Sequence, residues 1–268
     1  LAEATPRGLI ERASVPNIVT LPSLKRLLLE ITYPYTDNIL LRGNSATLRH
    51  LGIKIDKNTV NVLSKCQVFI SKYKNRVVHI SKSSQPDELA LVSDADMDRF
   101  ICNLVGAAQM LSLTSWMPVS RLVVVAPPAH GFMCLKALEV RLIDLTLFDV
   151  LRLLKVLPNL VKLTCGFGSL GSELEDIAAK DLPNYVASTF SNIGKNLQII
   201  SNVWSRGLVS HVIPEYVLLL ALVCPKLCRV MLKPNTISDF QGKVAEALRS
   251  GPYSKCTSEL NRLLRAIY

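Results

Sequence analysis

Three glycines, Gly166, Gly168 and Gly171, spell G-x-G-x-x-G within LVKLTCGFGSLGSELE, the stretch from Leu160 to Glu175. Placed after an apolar strand and before a helix, that spacing would cradle a dinucleotide. The second glycine lets the backbone approach pyrophosphate, and the helix N-terminus faces the anion. The flanking residues oppose that chemistry. The helix would open with Glu173, Glu175 and Asp176, three carboxylates where pyrophosphate has to sit. Near position 186 the sequence reads NYVAST, with no acid to hold a ribose. The motif also falls late in the chain, leaving too little sequence beyond it for a full nucleotide-binding sheet. We therefore expect a flexible loop leaving a strand. A nucleotide-dependent enzyme using the Gly166–Gly171 loop is the alternative.

The other chemical groupings are weaker. Asp94, Asp96 and Asp98 alternate as at the start of a calcium loop, but Arg99 and Val105 stand where that loop needs glycine and glutamate. Acids at a helix start have a simpler cause in the macrodipole. Cys224 and Cys228, with His211 upstream, lack a second ligand pair, and Pro225 breaks any helix between them. His50, His79, His130 and His211 belong to no H-E-x-x-H, and neither a G-x-S-x-G elbow nor a G-K-[ST] phosphate loop occurs. No nucleophile is nominated together with its base. The expectation is a non-catalytic protein with no cofactor and no metal.

Composition sets the frame for these residues. Of 268 residues, 49% are hydrophobic and 19% charged, enough for a substantial core. The longest apolar run, Tyr216 to Cys224, stops at Pro225 and falls far short of the roughly 20 residues that span a bilayer. No membrane association is expected. Seven cysteines, an odd number set mostly in apolar stretches, and the absence of any Asn-x-Ser/Thr sequon suit an intracellular protein in a reducing compartment. The first residue, Leu1, suggests an excerpt of a longer chain, read as one domain over 1–268. A formal charge of +10 favours an acidic partner. Aromatic residues are only 6%, too few for base-stacking platforms, so an acidic protein is preferred to nucleic acid. The nearest basic and aromatic candidate, KYKNRVVH from Lys72 to His79, reads as a solvated loop entering a strand.

A weak repeat supplies the elements that position these residues. The spacing L-x-x-L-x-L recurs from Leu24, Leu48, Val119, Leu135, Leu160, Leu197 and Leu227 at irregular intervals. Leu-Pro or Cys-Pro precedes three of these segments. Helical stretches lie between. Ser93 with Asp96 resembles a capping box ahead of MDRFICNLVGAAQML, and Thr146 is placed to cap LFDVLRLLKV. Pro214 suits the first turn of PEYVLLLALVC, Ser238 the cap of DFQGKVAEALRS, and Thr257 the cap of a last helix, SELNRLLRAIY. Strand, loop, helix, strand implies an α/β fold. The reading is an irregular leucine-rich-repeat-like solenoid, with parallel strands on the concave face and helices outside. A doubly wound α/β domain would alternate similarly.

CPKLCRVML and LPNLVKLTC resemble the cores of F-box-associated, cysteine-containing leucine-rich repeats. LLRGNSATLRHLGIKID, LPNYVASTF and VLLLALVCPKL are similar to segments of an uncharacterised, leucine-rich-repeat-like protein family of early-diverging fungi, a likeness that runs from Leu40 to Leu227. The resemblance implies the repeat fold and carries no assigned activity. It also raises an alternative function, the substrate-recognition domain of an F-box ubiquitin-ligase adaptor, which would require an F-box ahead of Leu1.

If the leucines point inward, period-two alternation turns the residues between them outward onto the concave face. That register exposes Arg26, Lys54, Arg121, Arg141, Lys162, Arg229 and Lys233 against only two acids, Glu30 and Glu139. These seven basic residues are the expected site for an acidic protein partner, with arginine forks on carboxylate or phosphate.

Overall fold

The computed structural model describes residues 26–29, 50–55, 76–82, 93, 95–96, 98–99, 102, 108–113, 132–202, 213–232, 237–249 and 253. The chain forms two compact units, Leu1–Val125 and Ala126–Tyr268. Each contains an α/β arrangement with a parallel ladder whose strands neighbour one another in chain order.

In the first unit the ladder is β1 (Arg26–Leu29), β2 (His50–Ile55), β3 (Arg76–Lys82) and β4 (Ala108–Leu113). The apolar pattern fixes its register. Leu27 lies beside Leu51, Leu51 beside Val78, and Val78 beside Leu111. Leu29, Ile53, Ile80 and Leu113 form a second column. A slip of one residue would break both columns. Between β3 and β4, Ser93 caps a helical start as expected, its hydroxyl accepting from Asp96 N–H at 3.2 Å and donating to the Asp96 carboxylate at 2.7 Å. The run MDRFICNLVGAAQML is not one helix, however. Residues from Ala108 onward are strand β4, because A-x-x-L-x-L repeats the strand spacing with alanine in the first place.

The second unit holds β5 (Ala137–Leu145), α1 (Leu147–Val156), β6 (Lys162–Phe167), α2 (Ser172–Glu175), α3 (Leu182–Thr189), β7 (Ile199–Ser201), α4 (Pro214–Val223), β8 (Arg229–Met231) and α5 (Ile237–Arg249). β5 to β8 pair in that order, all parallel. Parallel crossovers are right-handed almost without exception. Successive crossovers advancing in one direction therefore leave their helices on one face, and α1, α3 and α5 all pack against α4. α4 is consequently enclosed, with Tyr216 through Ala221 buried all round. That is the fate of the longest apolar run. Among the described residues no helix is long and apolar enough to cross a membrane.

The helix starts largely follow the sequence. Thr146 caps α1, accepting from Asp149 N–H at 3.1 Å, and Pro214 opens α4. Ser238 is not a cap. α5 already includes Ile237, and the amphipathic face buried through Phe240, Val244 and Leu248 sets its course. The helix expected after Thr257 lies outside the described residues.

Each strand of the second unit is launched by the same turn. The amides of Leu135, Leu160, Leu197 and Leu227 donate to the carbonyls three residues back, on Phe132, Leu157, Gly194 and Cys224, at 3.0–3.4 Å. Proline occupies the second place of two of these turns, Pro158 and Pro225, where its fixed φ suits a tight turn. Gly194 needs its freedom, since its φ is +57° and a Cβ there would meet Cys224 Sγ at 2.5 Å. Behind the turns lies the core. Leu138, Leu163, Ile200 and Val230 form its central column, each at most 1% exposed.

Two polar groups are buried with partners. Asn202 stands where the repeat would place leucine, and its side-chain oxygen accepts from Phe167 N–H at 3.4 Å. Tyr216 stacks on Phe167, centroids 4.9 Å apart, and donates its hydroxyl to the Leu145 carbonyl at 3.1 Å. Burial, with smaller contributions from Cys165 and Asp149, raises the Tyr216 pKa well above the usual tyrosine value. Burial, helped by Asp144, likewise raises that of the Cys165 thiol.

Candidate partner-binding face

The face of β5–β8 opposite the core carries two of the expected basic residues, Lys162 and Arg229, and register decides how they meet. Ala137, Lys162, Ile199 and Arg229 are mutual neighbours across the four strands and form one level row. Lys162 and Arg229 are exposed, and Ile199 between them is half-buried. Among the described residues neither cation is engaged in an ion pair or a side-chain hydrogen bond. Adjacent strands are about 4.8 Å apart, which sets Lys162 and Arg229 about 9.6 Å apart along the backbone. The structure thus brings two of the seven basic residues together on one row.

The others are distributed differently. Arg141 lies on β5, in the irregular stretch between Glu139 and Asp144 where the pairing with β6 shifts register. Arg26 and Lys54 belong to the first unit, Arg26 beside His50 and Lys54 beside Ser81. Arg121 and Lys233 lie outside the described residues, as do the acid Glu30 and the whole segment from Val119.

One expectation about this face is corrected. The outward row two residues further along reads Glu139, Thr164, Ser201 in neighbouring strands, with Met231 beyond. Thr164 is only 6% exposed and Ser201 only 2%, although the period-two alternation turns both away from the leucines. Short side chains in the two central strands have a neighbour about 4.8 Å away on each side and cannot reach past them. Met231, at the edge, is 39% exposed.

The glycine loop has a structural occupant. Gly168 N–H donates to the Leu145 carbonyl at 2.8 Å, and the loop's own carbonyls serve α1. Leu147 N–H donates to Ser169 O at 3.0 Å and Phe148 N–H to Leu170 O at 3.1 Å. With Thr146 accepting from Asp149, the first three amides of α1 are satisfied. Gly171 has φ +98°, and a Cβ there would press on Phe148 and Thr146 at 3.1–3.3 Å. The helix it opens, α2, has four residues, and Glu173 and Glu175 on it and Asp176 just after it are exposed. These glycines fit a loop against its neighbour's helix cap.

Cys224 and Cys228 also occupy different settings. Cys224 is buried at the end of α4, over Gly194. Cys228 is exposed just before β8, with its thiol 3.5 Å from the Gln198 carbonyl.

Sequence reasoning passed over two features. At the strand-launching turns, Asn159 donates to Met133 O at 2.9 Å. Asn196 donates to Pro158 O at 3.2 Å and to Asn159 Oδ1 at 3.3 Å. Lys226 then donates to Asn196 Oδ1 at 3.0 Å. Each of these residues immediately precedes the first leucine of its repeat, so two asparagines at the same place in successive repeats were the available signal. The second feature is a cleft of about 630 Å³ on the helical side, between α2, α3, the start of α4 and α5. Leu174, Ile177, Leu182 and Pro214 line it together with Glu215 and Lys243, whose ammonium sits 2.8 Å from Asp239. Its lining comes from four separated segments, which no local motif announces.

No family model and no curated protein matches the chain.

Proposed function

We propose that the chain is a repeat solenoid of leucine-rich-repeat type that acts as a non-catalytic interaction module, docking an acidic protein segment on the outward face of its strands. The repeat reading is supported by strand order without reversal, by one turn used four times in the second unit, and by helices that pack on one another. A doubly wound sheet reverses its strand order at a switch point. The likeness to leucine-rich-repeat proteins of early-diverging fungi belongs with the same reading.

The binding reading rests on one observation, the level row in which exposed Lys162 and Arg229 flank Ile199. Strand pairing fixes the backbone of both cations, so a partner has only the two side chains left to order in engaging them. Arginine adds a planar fork that fits carboxylate in two parallel bonds.

The test compares partners captured from lysate by the chain and by the Lys162→Glu/Arg229→Glu variant, both checked by circular dichroism and melting. Partners captured by the parent chain, enriched in acidic segments and absent from the variant, are the expected result. An unchanged set of partners would overturn the proposed face.

A further inference from the structure

The spacing of the charged row selects a shape of partner as well as a charge. Going deeper into the same site, and resting on the acidic-partner reading just given, we infer that Lys162, Ile199 and Arg229 form the footprint of an amphipathic helix bearing carboxylates seven residues apart with an apolar residue between them.

The geometry separates helix from strand. The backbones of the two basic residues stand about 9.6 Å apart, two inter-strand spacings. A helix rises about 1.5 Å per residue, so residues seven apart are separated by about 10.5 Å and return to the same face after nearly two turns. An extended segment matches poorly. Its residues two apart span about 6.6 Å and those four apart about 13 Å, while the pair three apart, near 10 Å, points to opposite sides. A helix crossing the strands therefore matches the backbone spacing of both cations with one face, and an extended segment reaches both only by bending their side chains toward or away from each other.

The residue between the cations supplies the second element. Ile199 lies in register with both and is half-buried, which places an apolar surface at the middle of the row. On the docked helix, residues three and four positions after the first carboxylate fall over that point. Met231, on the outward side of β8 beyond Arg229, extends the apolar surface. Thr164 and Ser201, in the adjoining row, are buried and short, so nothing on those two strands rises to obstruct a cylinder laid across the row.

The probes are two labelled helical peptides of identical composition and about 18 residues, long enough to hold helix. One carries its glutamates seven residues apart with leucines three and four places after the first. Its isomer has the glutamates four apart and the leucines moved outside them. Fluorescence anisotropy at low salt measures binding to the whole chain. The expected result is at least about tenfold tighter binding of the first peptide. Binding should fall by about tenfold or more in each of Lys162→Ala, Arg229→Ala and Ile199→Asp, variants whose exposed or half-exposed positions leave melting near that of the parent. Equal binding of both isomers, lost together in Lys162→Ala/Arg229→Ala, would overturn the helical footprint and leave the acidic-partner reading standing. Failure of both peptides to bind at about 1 mM, or binding indifferent to the double variant, would overturn both.

Discussion

Two faces of one ladder, built from adjacent residues on the same strands, follow opposite rules. On the inner side Leu138, Leu163, Ile200 and Val230 are interchangeable in kind, and each is at most 1% exposed. On the outer side Ala137, Lys162, Ile199 and Arg229 share that register but mix small, charged and branched apolar side chains. The inner face has one requirement, to exclude water, and repeats itself to meet it. The outer face is relieved of that requirement and is free to carry chemistry that changes from strand to strand. Repetition therefore marks the residues that hold the fold, and departure from repetition marks those available for a partner.

The sharpest break of this contrast should come from inside. Tyr216→Ala removes a fully buried ring stacked on Phe167 and an O–H bonded to Leu145, and should cost about 3–5 kcal/mol in denaturant unfolding. Tyr216→Phe should cost only about 1 kcal/mol, the net value of that hydrogen bond. Next in size, Gly194→Ala forces a Cβ onto Cys224 Sγ in a left-handed backbone, for about 2–4 kcal/mol. Adding Cys224→Ala should return part of that loss, and a double-mutant cycle measures the coupling.

Alkaline titration tests the inner face by charge. The native pKa of Tyr216 lies above that of the unfolded chain, about 10, so the unfolded state loses its proton first as pH rises. Stability from this group is whole below about pH 10 and declines as pH climbs above it, by at most about 1.4 kcal/mol per unit. Cys165 acts in the same direction from a somewhat lower pH. Melting temperature should fall along an alkaline arm that Tyr216→Phe makes shallower, and an arm unchanged in that variant would reject the assignment.

At the turns, Asn196→Ala removes two donated bonds and the acceptor of Lys226, for about 1–2 kcal/mol. On the outer face, Lys162→Ala and Arg229→Ala should move unfolding by no more than about 0.5 kcal/mol each, while abolishing capture of an acidic partner. A large loss of stability from either would erase the distinction between the faces.

Much of this organisation was legible. The spacing L-x-x-L-x-L located β1, β2, β5, β6, β7 and β8, and it placed Leu138, Leu163, Ile200 and Val230 on the buried side. β3 and β4 escaped it because their first places hold Asn75 and Ala108 in place of leucine, although a strand near His79 was anticipated. For β4 the difficulty was also one of period, since LVGAAQML is apolar enough to suit either helix or strand. The row Lys162, Ile199, Arg229 followed from the spacing, whereas the burial of Thr164 and Ser201 depends on which strands flank them. The glycine loop was read as a loop leaving a strand, but its tie to α1 is a contact between separated segments. No local pattern encodes that.

The strand-launching turns have a consequence for how such a chain can change. Leu135 to Leu160 covers 25 residues, Leu160 to Leu197 covers 37, and Leu197 to Leu227 covers 30, yet each return delivers its strand at the same level. Length is absorbed entirely in the outer arc, where the longest return simply stores α2 and α3. The row of outward side chains then behaves as a comb of fixed pitch whose teeth are set independently of the material behind them. Insertions and deletions that would scramble an ordinary sheet can accumulate in the returns and leave the spacing of the outward row untouched.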